Sequence, residues 1–271
     1  MIKQIAASLC LLFAAVHPIS AQPVHLASTE DDVWMIFDRV ASDGMPLVVV
    51  ARAGTAPAHM RLSAGHVTVV TCRADLANIG ARGMPQGTAG LYALEDTLAV
   101  APSFRAAGAV QIASVTGQGQ RLMYLVHRDP LDVTPILDAT PVQGFSCAAE
   151  EVEDRKALVQ FLTPSPVDIR LDGDRRVIAV LHENGDDGLI PRKTDFWFYG
   201  RRGSLTDLAD GLAAHGFSVD QWLSGPVGVV LTRDMPVSFP EFYELTPVIL
   251  DMAERAGVEY DGWQTMLMSR P

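Results

Sequence analysis

The order of helix-like and strand-like segments over residues 172–266 restricts the fold of this chain more than any other feature. A leading helix is predicted at 172–183, with Val177, Ile178 and Leu181 on one side. The segments that follow it are predicted as strand, helix, strand, strand, helix and strand, at residues 194–199, 204–215, 217–222, 227–232, 239–256 and 258–266. This β-α-β-β-α-β order is the ferredoxin-like arrangement, so the sequence predicts such a domain with a leading helix.

The segment before it carries a second set of strands and helices. Its predicted strands lie at residues 33–40, 46–51, 66–72, 110–115 and 121–126, and its predicted helices at 91–98, 132–137 and 150–161. This pattern is typical of an α+β antiparallel sheet with helices. We interpret Pro164-Ser165-Pro166 as a linker, because prolines stop a helix and stiffen a connection. The sequence therefore predicts two α+β domains, at residues 29–166 and 171–271.

The N-terminal residues have the layout of a secretory signal peptide. A positive start at Met1–Lys3 precedes an apolar run over residues 5–16, and the small residue Ala21 ends the segment. The apolar run is too short to span a bilayer as a helix. We therefore expect residues 1–21 to be removed by cleavage near Ala21 and the protein to be periplasmic or secreted. The alternative is a buried N-terminal helix.

The amino-acid composition limits the classes of partner, and the cysteines bear on the redox compartment. The 271 residues carry a formal net charge of -11, so the chain has no basic footprint for direct nucleic-acid binding. No second hydrophobic segment is long enough to cross a membrane, and we expect no stable membrane insertion after cleavage. Of the three cysteines, Cys10 lies in the predicted signal peptide, whereas Cys72 and Cys147 remain. These two are a candidate disulfide in an oxidising compartment, and two buried free thiols are the alternative.

Several motifs of the C-terminal segment occur together: Gly185-Asp186-Asp187 leading to Pro191-Arg192, the aromatic strand Asp195–Tyr199, Gly216-Phe217, and Val258-Glu259-Tyr260-Asp261-Gly262-Trp263. On these motifs, the chain from Leu171 to its C-terminus resembles the RraB family, which is named for a regulator of ribonuclease E activity. The N-terminal domain is similar to domain of unknown function 695, which is often fused ahead of RraB-like domains. That similarity is carried by Trp34, Gly90, Leu94-Glu95-Asp96, Tyr124 and Pro164-Ser165-Pro166.

The RraB resemblance implies a ferredoxin-like fold and protein binding rather than catalysis. We therefore expect a non-catalytic regulatory protein that needs no cofactor and has another protein as its partner. The predicted signal peptide is a departure, since the family's namesake acts on a cytoplasmic ribonuclease. Regulation of ribonuclease E is the alternative if the chain stays in the cytoplasm. Another alternative is an envelope hydrolase or small-ligand-binding protein with its site between the two domains.

No catalytic or metal-binding motif is present in the sequence. A Gly-x-Ser-x-Gly elbow for a serine nucleophile does not occur. His182, Glu183, Asp186 and Asp187 lie close in sequence but lack the spacing of a calcium loop, so we interpret them as a solvated helix end. The acidic pair Asp186 and Asp187 is instead a candidate contact surface for a partner.

The alternation of side chains along two predicted strands suggests a second contact surface. Asp195, Trp197 and Tyr199 share one face of their strand. The same alternation places Asp261 and Trp263 together on the last strand. Helices cover only one face of a ferredoxin-like sheet, and we expect these five residues on the other, open face. That face either packs against the first domain or binds a partner, since Trp and Tyr are common interface anchors.

Overall fold

The computed structural model describes residues 33–54 and 56–268, and the predicted signal peptide lies outside this range. The ten strands described are β1 (Trp34–Val40), β2 (Pro46–Arg52), β3 (His66–Ala74), β4 (Val110–Gly117), β5 (Gln120–His127), β6 (Phe145–Glu151), β7 (Arg192–Tyr199), β8 (Ser218–Ser224), β9 (Val227–Met235) and β10 (Glu259–Thr265). The α-helices described are α1 (Ala58–Arg61), α2 (Ala89–Val100), α3 (Pro102–Ala106), α4 (Thr134–Ala139), α5 (Arg155–Leu162), α6 (Pro166–Glu183), α7 (Arg202–Ala213) and α8 (Phe239–Ala256). This set of strands and helices confirms the predicted α+β class.

The N-terminal sheet is antiparallel, with strand order β1-β2-β4-β5-β3-β6. Its alternating apolar side chains form two cores, one against α1 and α5 and the other against α2, α3 and α4. The predicted helix at 150–161 begins too early, because Glu150 and Glu151 still pair with β3 as the end of β6. The helix starts at Arg155, after Asp154 accepts hydrogen bonds from the backbone of Lys156 and Ala157.

The C-terminal sheet is antiparallel, with strand order β10-β7-β9-β8. Helix α7 connects β7 to β8, and α8 connects β9 to β10, which is the β-α-β-β-α-β order of a ferredoxin-like domain. Phe196, Phe198 and Phe242 are fully buried between the sheet and the helices. Helix α6 packs beside α8, so the helix layer of this domain contains α6, α7 and α8.

The Pro164-Ser165-Pro166 segment follows α5, the last helix of the N-terminal domain, and caps the start of helix α6. Ser165 accepts a hydrogen bond from the backbone of Asp168, and the Asp168 carboxylate accepts one from the Ser165 backbone. Pro166 occupies the first turn, where its missing N–H is not needed. The leading helix therefore begins before residue 172, where the sequence pattern placed its start.

Helix α6 joins the two sheets. The backbone N–H of Ile36 in β1 lies 3.5 Å from a carboxylate oxygen of Asp172, and Arg175 donates to the carbonyl of Ile36. Arg39 forms an ion pair with Asp168 at 2.9 Å. The N-terminal sheet thus meets the helix layer of the C-terminal domain. Among the described helices, none is long and apolar enough to cross a membrane.

Candidate functional site

Strand β7 presents alternating side chains to the two faces of the C-terminal sheet. Phe196 and Phe198 are buried under the helices, whereas Asp195, Trp197 and Tyr199 are half-buried on the opposite face. This division agrees with the alternation expected from the sequence. The face that carries Asp195, Trp197 and Tyr199 lies opposite α6, α7 and α8, and we call it the open face.

A network of charges crosses the open face beside Trp197. The Nζ atom of Lys193 lies 2.7 Å from an oxygen of Asp220 in β8 and 3.4 Å from Oδ1 of Asp195. The pKa of Lys193 is raised, first because it donates a hydrogen bond to Asp220. Asp195 Oδ1 is buried, yet no hydrogen-bond donor satisfies it within the described residues. Because this oxygen is buried beside Lys193, a partner reaches it only if the ion pair rearranges.

Trp263 does not lie on the open face, contrary to the prediction from its spacing. Tyr260 is paired with Phe198, but Gly262 is paired with Trp197 and Trp263 with Phe196, so β10 carries a bulge at Asp261. One extra residue reverses the side-chain alternation beyond it. The indole of Trp263 consequently stacks on Phe242 of α8, with the ring centroids 4.4 Å apart.

The indole of Trp263 also belongs to a polar cluster within the helix layer. Its Nε1 donates to Asp174 of α6 at 2.7 Å, and the hydroxyl of Thr246 of α8 donates to the other oxygen of Asp174 at 2.9 Å. Burial raises the pKa of Asp174, although both hydrogen bonds act in the opposite direction. This cluster connects α6, α8 and β10, and it holds the half-buried Trp263 against the core of the domain.

Asp261 remains beside the aromatic part of the open face although it is the bulge residue. It is exposed, and its charge is close enough to Tyr199 to raise the pKa of that phenol, second to the effect of burial. Its backbone carbonyl accepts a hydrogen bond from Arg170 of α6. The open-face patch that the structure brings together is therefore Asp195, Trp197, Tyr199 and Asp261.

The predicted acidic contact surface at Asp186 and Asp187 is wrong for Asp186. The side chain of Asp186 is 1% exposed and forms a two-pronged ion pair with Arg192, whose side chain is 4% exposed. Asp186 also accepts hydrogen bonds from the backbone of Gly188 and Met268. Asp187 is half-buried and accepts a hydrogen bond from the backbone of Leu189. Asp186 holds the loop to the backbone at Met268 and is not available to a partner.

Cys72 and Cys147 face each other on paired strands of the N-terminal sheet. They form a disulfide that connects β3 to the edge strand β6. The buried position of Cys72 within the core against α2 to α4 places the bond away from the open face. The pair is thus a feature of the N-terminal sheet and not of the candidate contact surface.

A cleft of about 170 Å³ lies where β1 meets α6 and α8, the location considered for an enzymatic or ligand site. Its walls are mostly apolar, formed by Ile36, Phe37, Val167, Leu171, Phe239, Tyr243 and Pro247, with Asp38, Asp168 and Arg175. Asp168 is engaged by Arg39, and Arg175 by Ile36 and by stacking on Phe239. Within residues 33–54 and 56–268, no group of three or more His, Cys, Asp or Glu side chains is placed to hold a metal ion. We identify no nucleophile and base in the cleft.

The strand order and the described helices, which cover only one face of the sheet, define a ferredoxin-like domain. Residues 171–265 match the model of the family described as Regulator of ribonuclease activity B. The matched range contains all four strands of the C-terminal sheet together with α7 and α8. No curated protein matches the chain. The similarity of the N-terminal domain to domain of unknown function 695 stays a prediction.

Proposed function

We propose that this chain is a non-catalytic regulatory protein that binds another protein through the open-face patch. The observation that carries the proposal is the docking position of the N-terminal sheet. It contacts the C-terminal domain through α6, in the helix layer, and therefore approaches the side of the sheet opposite Trp197 and Tyr199. Of the two roles considered for the open face, this arrangement favours partner binding over packing between the domains. The family match over residues 171–265 is consistent with such a role.

The charges of the open-face patch favour a basic partner. Asp195 and Asp261 flank Trp197 and Tyr199, and the whole chain carries a net charge of -11. Aromatic rings attract lysine and arginine through their faces, and carboxylates attract them more strongly. The carboxylate of Asp261 is exposed, so a cationic side chain of a partner can reach it. We therefore infer that the partner presents lysine or arginine side chains to this face.

A photo-crosslinking residue tests the surface in the full chain. We would replace Trp197 with benzoylphenylalanine and, as a matched control, replace the exposed aromatic Tyr92 of α2 in the same way. The proposal expects one defined protein adduct from position 197 that is absent from position 92. The purified adduct partner should then lose affinity for Asp195→Lys while the circular dichroism spectrum is unchanged. Identical adducts at both positions, or none at 197, would contradict the proposal.

We further propose that the protein acts outside the cytoplasm, as its N-terminal sequence predicts. Cell fractionation followed by N-terminal sequencing of the recovered protein tests this point. A start near Gln22 in an exported fraction supports an envelope or secreted partner. An uncleaved cytoplasmic protein would contradict export, and a ribonuclease E cleavage assay with and without the protein would then test the alternative.

A further inference from the structure

The four outer strands of the two sheets differ in how their edges are protected. An unprotected edge exposes backbone N–H and C=O groups that can pair with another strand, and most proteins block such edges. The outward N–H and C=O of Ile36 in β1 face Asp172 and Arg175 of α6. On β10, Arg170 donates to the carbonyls of Tyr260 and Asp261 beside the bulge. The edge of β8 is interrupted by a bulge at Asp220.

Strand β6 has none of these devices within the described part of the chain. All seven of its residues pair with β3 in one unbroken register. The residues Ser146, Ala148, Ala149, Glu150 and Glu151 are exposed. The disulfide between Cys147 and Cys72 holds the strand on the buried β3. This edge is regular, carries small side chains along its middle and is fixed in position.

The pairing pattern identifies the backbone groups that point outward from β6. Asp75 donates to the carbonyl of Gly144, and Val152 donates to the carbonyl of Val67. In an antiparallel ladder, every second residue exchanges both hydrogen bonds with its partner. The even-numbered residues between Gly144 and Val152 therefore bond to β3, and the backbones of Cys147, Ala149 and Glu151 point away from the sheet.

The charge at one end of β6 indicates what kind of strand fits there. Glu150 and Glu151 end the strand, and Glu153 and Asp154 follow it, all four exposed. His66 and Arg155 lie nearby, but the His66 ring is already engaged with Glu151 at 3.0 Å and Arg155 with the backbone of Gly65. A second acidic strand would be repelled at this end, whereas a basic one would be attracted.

We propose that β6 is a strand-addition site that takes an extended segment of a partner protein with lysine or arginine beside Glu150 and Glu151. Main-chain hydrogen bonds to Cys147, Ala149 and Glu151 supply the affinity, and the acidic end of the strand selects the charge. The site lies in the N-terminal sheet and is independent of the open-face patch. Loss of one surface therefore leaves binding at the other unchanged.

The test uses the full chain and a fluorescent synthetic peptide that alternates lysine and valine. Ala149→Pro removes one outward N–H at an edge position where proline is tolerated, and Ala149→Val keeps it as the matched control. We expect saturable binding by fluorescence anisotropy, weakened by salt, and about tenfold weaker for Ala149→Pro than for Ala149→Val. Hydrogen exchange at the amides of Cys147, Ala149 and Glu151 should slow when the peptide is bound.

A charge reversal covers the case in which the proline variant does not fold. The double variant Glu150→Lys and Glu151→Lys should lose the lysine peptide and gain a peptide that alternates glutamate and valine. Equal affinity of the proline and valine variants, unchanged exchange at the three amides, or no saturable binding would overturn the proposal. Self-association that is concentration-dependent and lost in Ala149→Pro would also overturn it, because the occupant would then be a second copy of this chain.

Discussion

Removal of Arg192 should destabilise the protein more than any loss of a surface charge. The side chains of Asp186 and Arg192 are 1% and 4% exposed, so Arg192→Met leaves a carboxylate buried without its cation. Breaking one side of a buried pair costs about 3–5 kcal/mol, a large part of the roughly 5–15 kcal/mol that stabilises a typical domain. Urea unfolding followed by circular dichroism measures this loss as a lower transition midpoint.

A matched control and a double variant separate the pair from other effects of Arg192. Arg255 forms an ion pair with Asp251 at 2.9 Å, but these side chains are 78% and 52% exposed, and Arg255→Met should change the free energy of unfolding by less than about 1 kcal/mol. Asp186→Leu combined with Arg192→Met should cost less than the sum of the single variants. A loss below about 1 kcal/mol for Arg192→Met alone would refute the assignment of a buried, coupled pair.

The pair also sets a pH dependence. The pKa of Asp186 is lowered, first because Arg192 donates hydrogen bonds to its carboxylate. A lowered folded-state pKa adds stability that is fully present above the unfolded-state value of about 4 and is lost as the pH falls through the folded-state pKa. The stability difference between the wild type and Asp186→Asn, measured by urea unfolding, should be constant near neutral pH and shrink below about pH 4. A difference that is unchanged at lower pH would contradict this cause.

Three other predictions follow from single contacts. Burial raises the pKa of Asp174 in the folded state. Its ionisation therefore lowers stability as the pH rises from the unfolded-state pKa to the folded-state pKa. Asp174→Asn should raise the thermal midpoint at pH 7 but not below about pH 4. Trp263→Ala should lower the free energy of unfolding by about 3–5 kcal/mol, whereas Trp197→Ala on the open face should cost less, which chemical denaturation of both variants would measure. Thiol counting on denatured, unreduced protein should find neither Cys72 nor Cys147 reactive, and replacing both with serine should cost about 4 kcal/mol for a separation of 75 residues. Two reactive thiols, equal costs for the two tryptophans, or a pH-independent effect of Asp174→Asn would contradict the respective prediction.

The alternation of side chains predicts a regular strand well and fails at a bulge. The faces of Phe196, Trp197 and Phe198 follow directly from the two-residue period of β7. Trp263 cannot be placed in this way, because the extra residue at Asp261 depends on how β10 meets β7 and on a backbone φ of 147° at Gly262. The glycine after Asp261 is the only local signal of this irregularity, since an isolated glycine in a strand indicates a bulge.

The burial of Asp186 could not be predicted from local composition either. Two adjacent aspartates after a helix resemble a solvated loop, and only the tertiary fold brings Arg192 and the backbone of Met268 to the first of them. The N-terminal end of helix α6 shows the reverse case. Ser165 and Pro166 are a strong local start signal for a helix, but two prolines in one short segment also indicate a connection between domains.

Helix α6 explains why the two halves of the chain are hard to divide by sequence alone. Asp168, Asp172 and Arg175 form hydrogen bonds with β1 of the N-terminal sheet. Asp174, the residue before Arg175, accepts hydrogen bonds from Thr246 and Trp263 of the C-terminal domain. A helix turns about 100° per residue, so neighbouring positions face different directions and one helix contributes to both units. The family match begins at residue 171, inside this helix, whereas the capped end that contacts Arg39 lies before it. The surface that binds the N-terminal sheet is thus built into the first helix of the C-terminal domain, and this leaves the open face on the far side of its sheet.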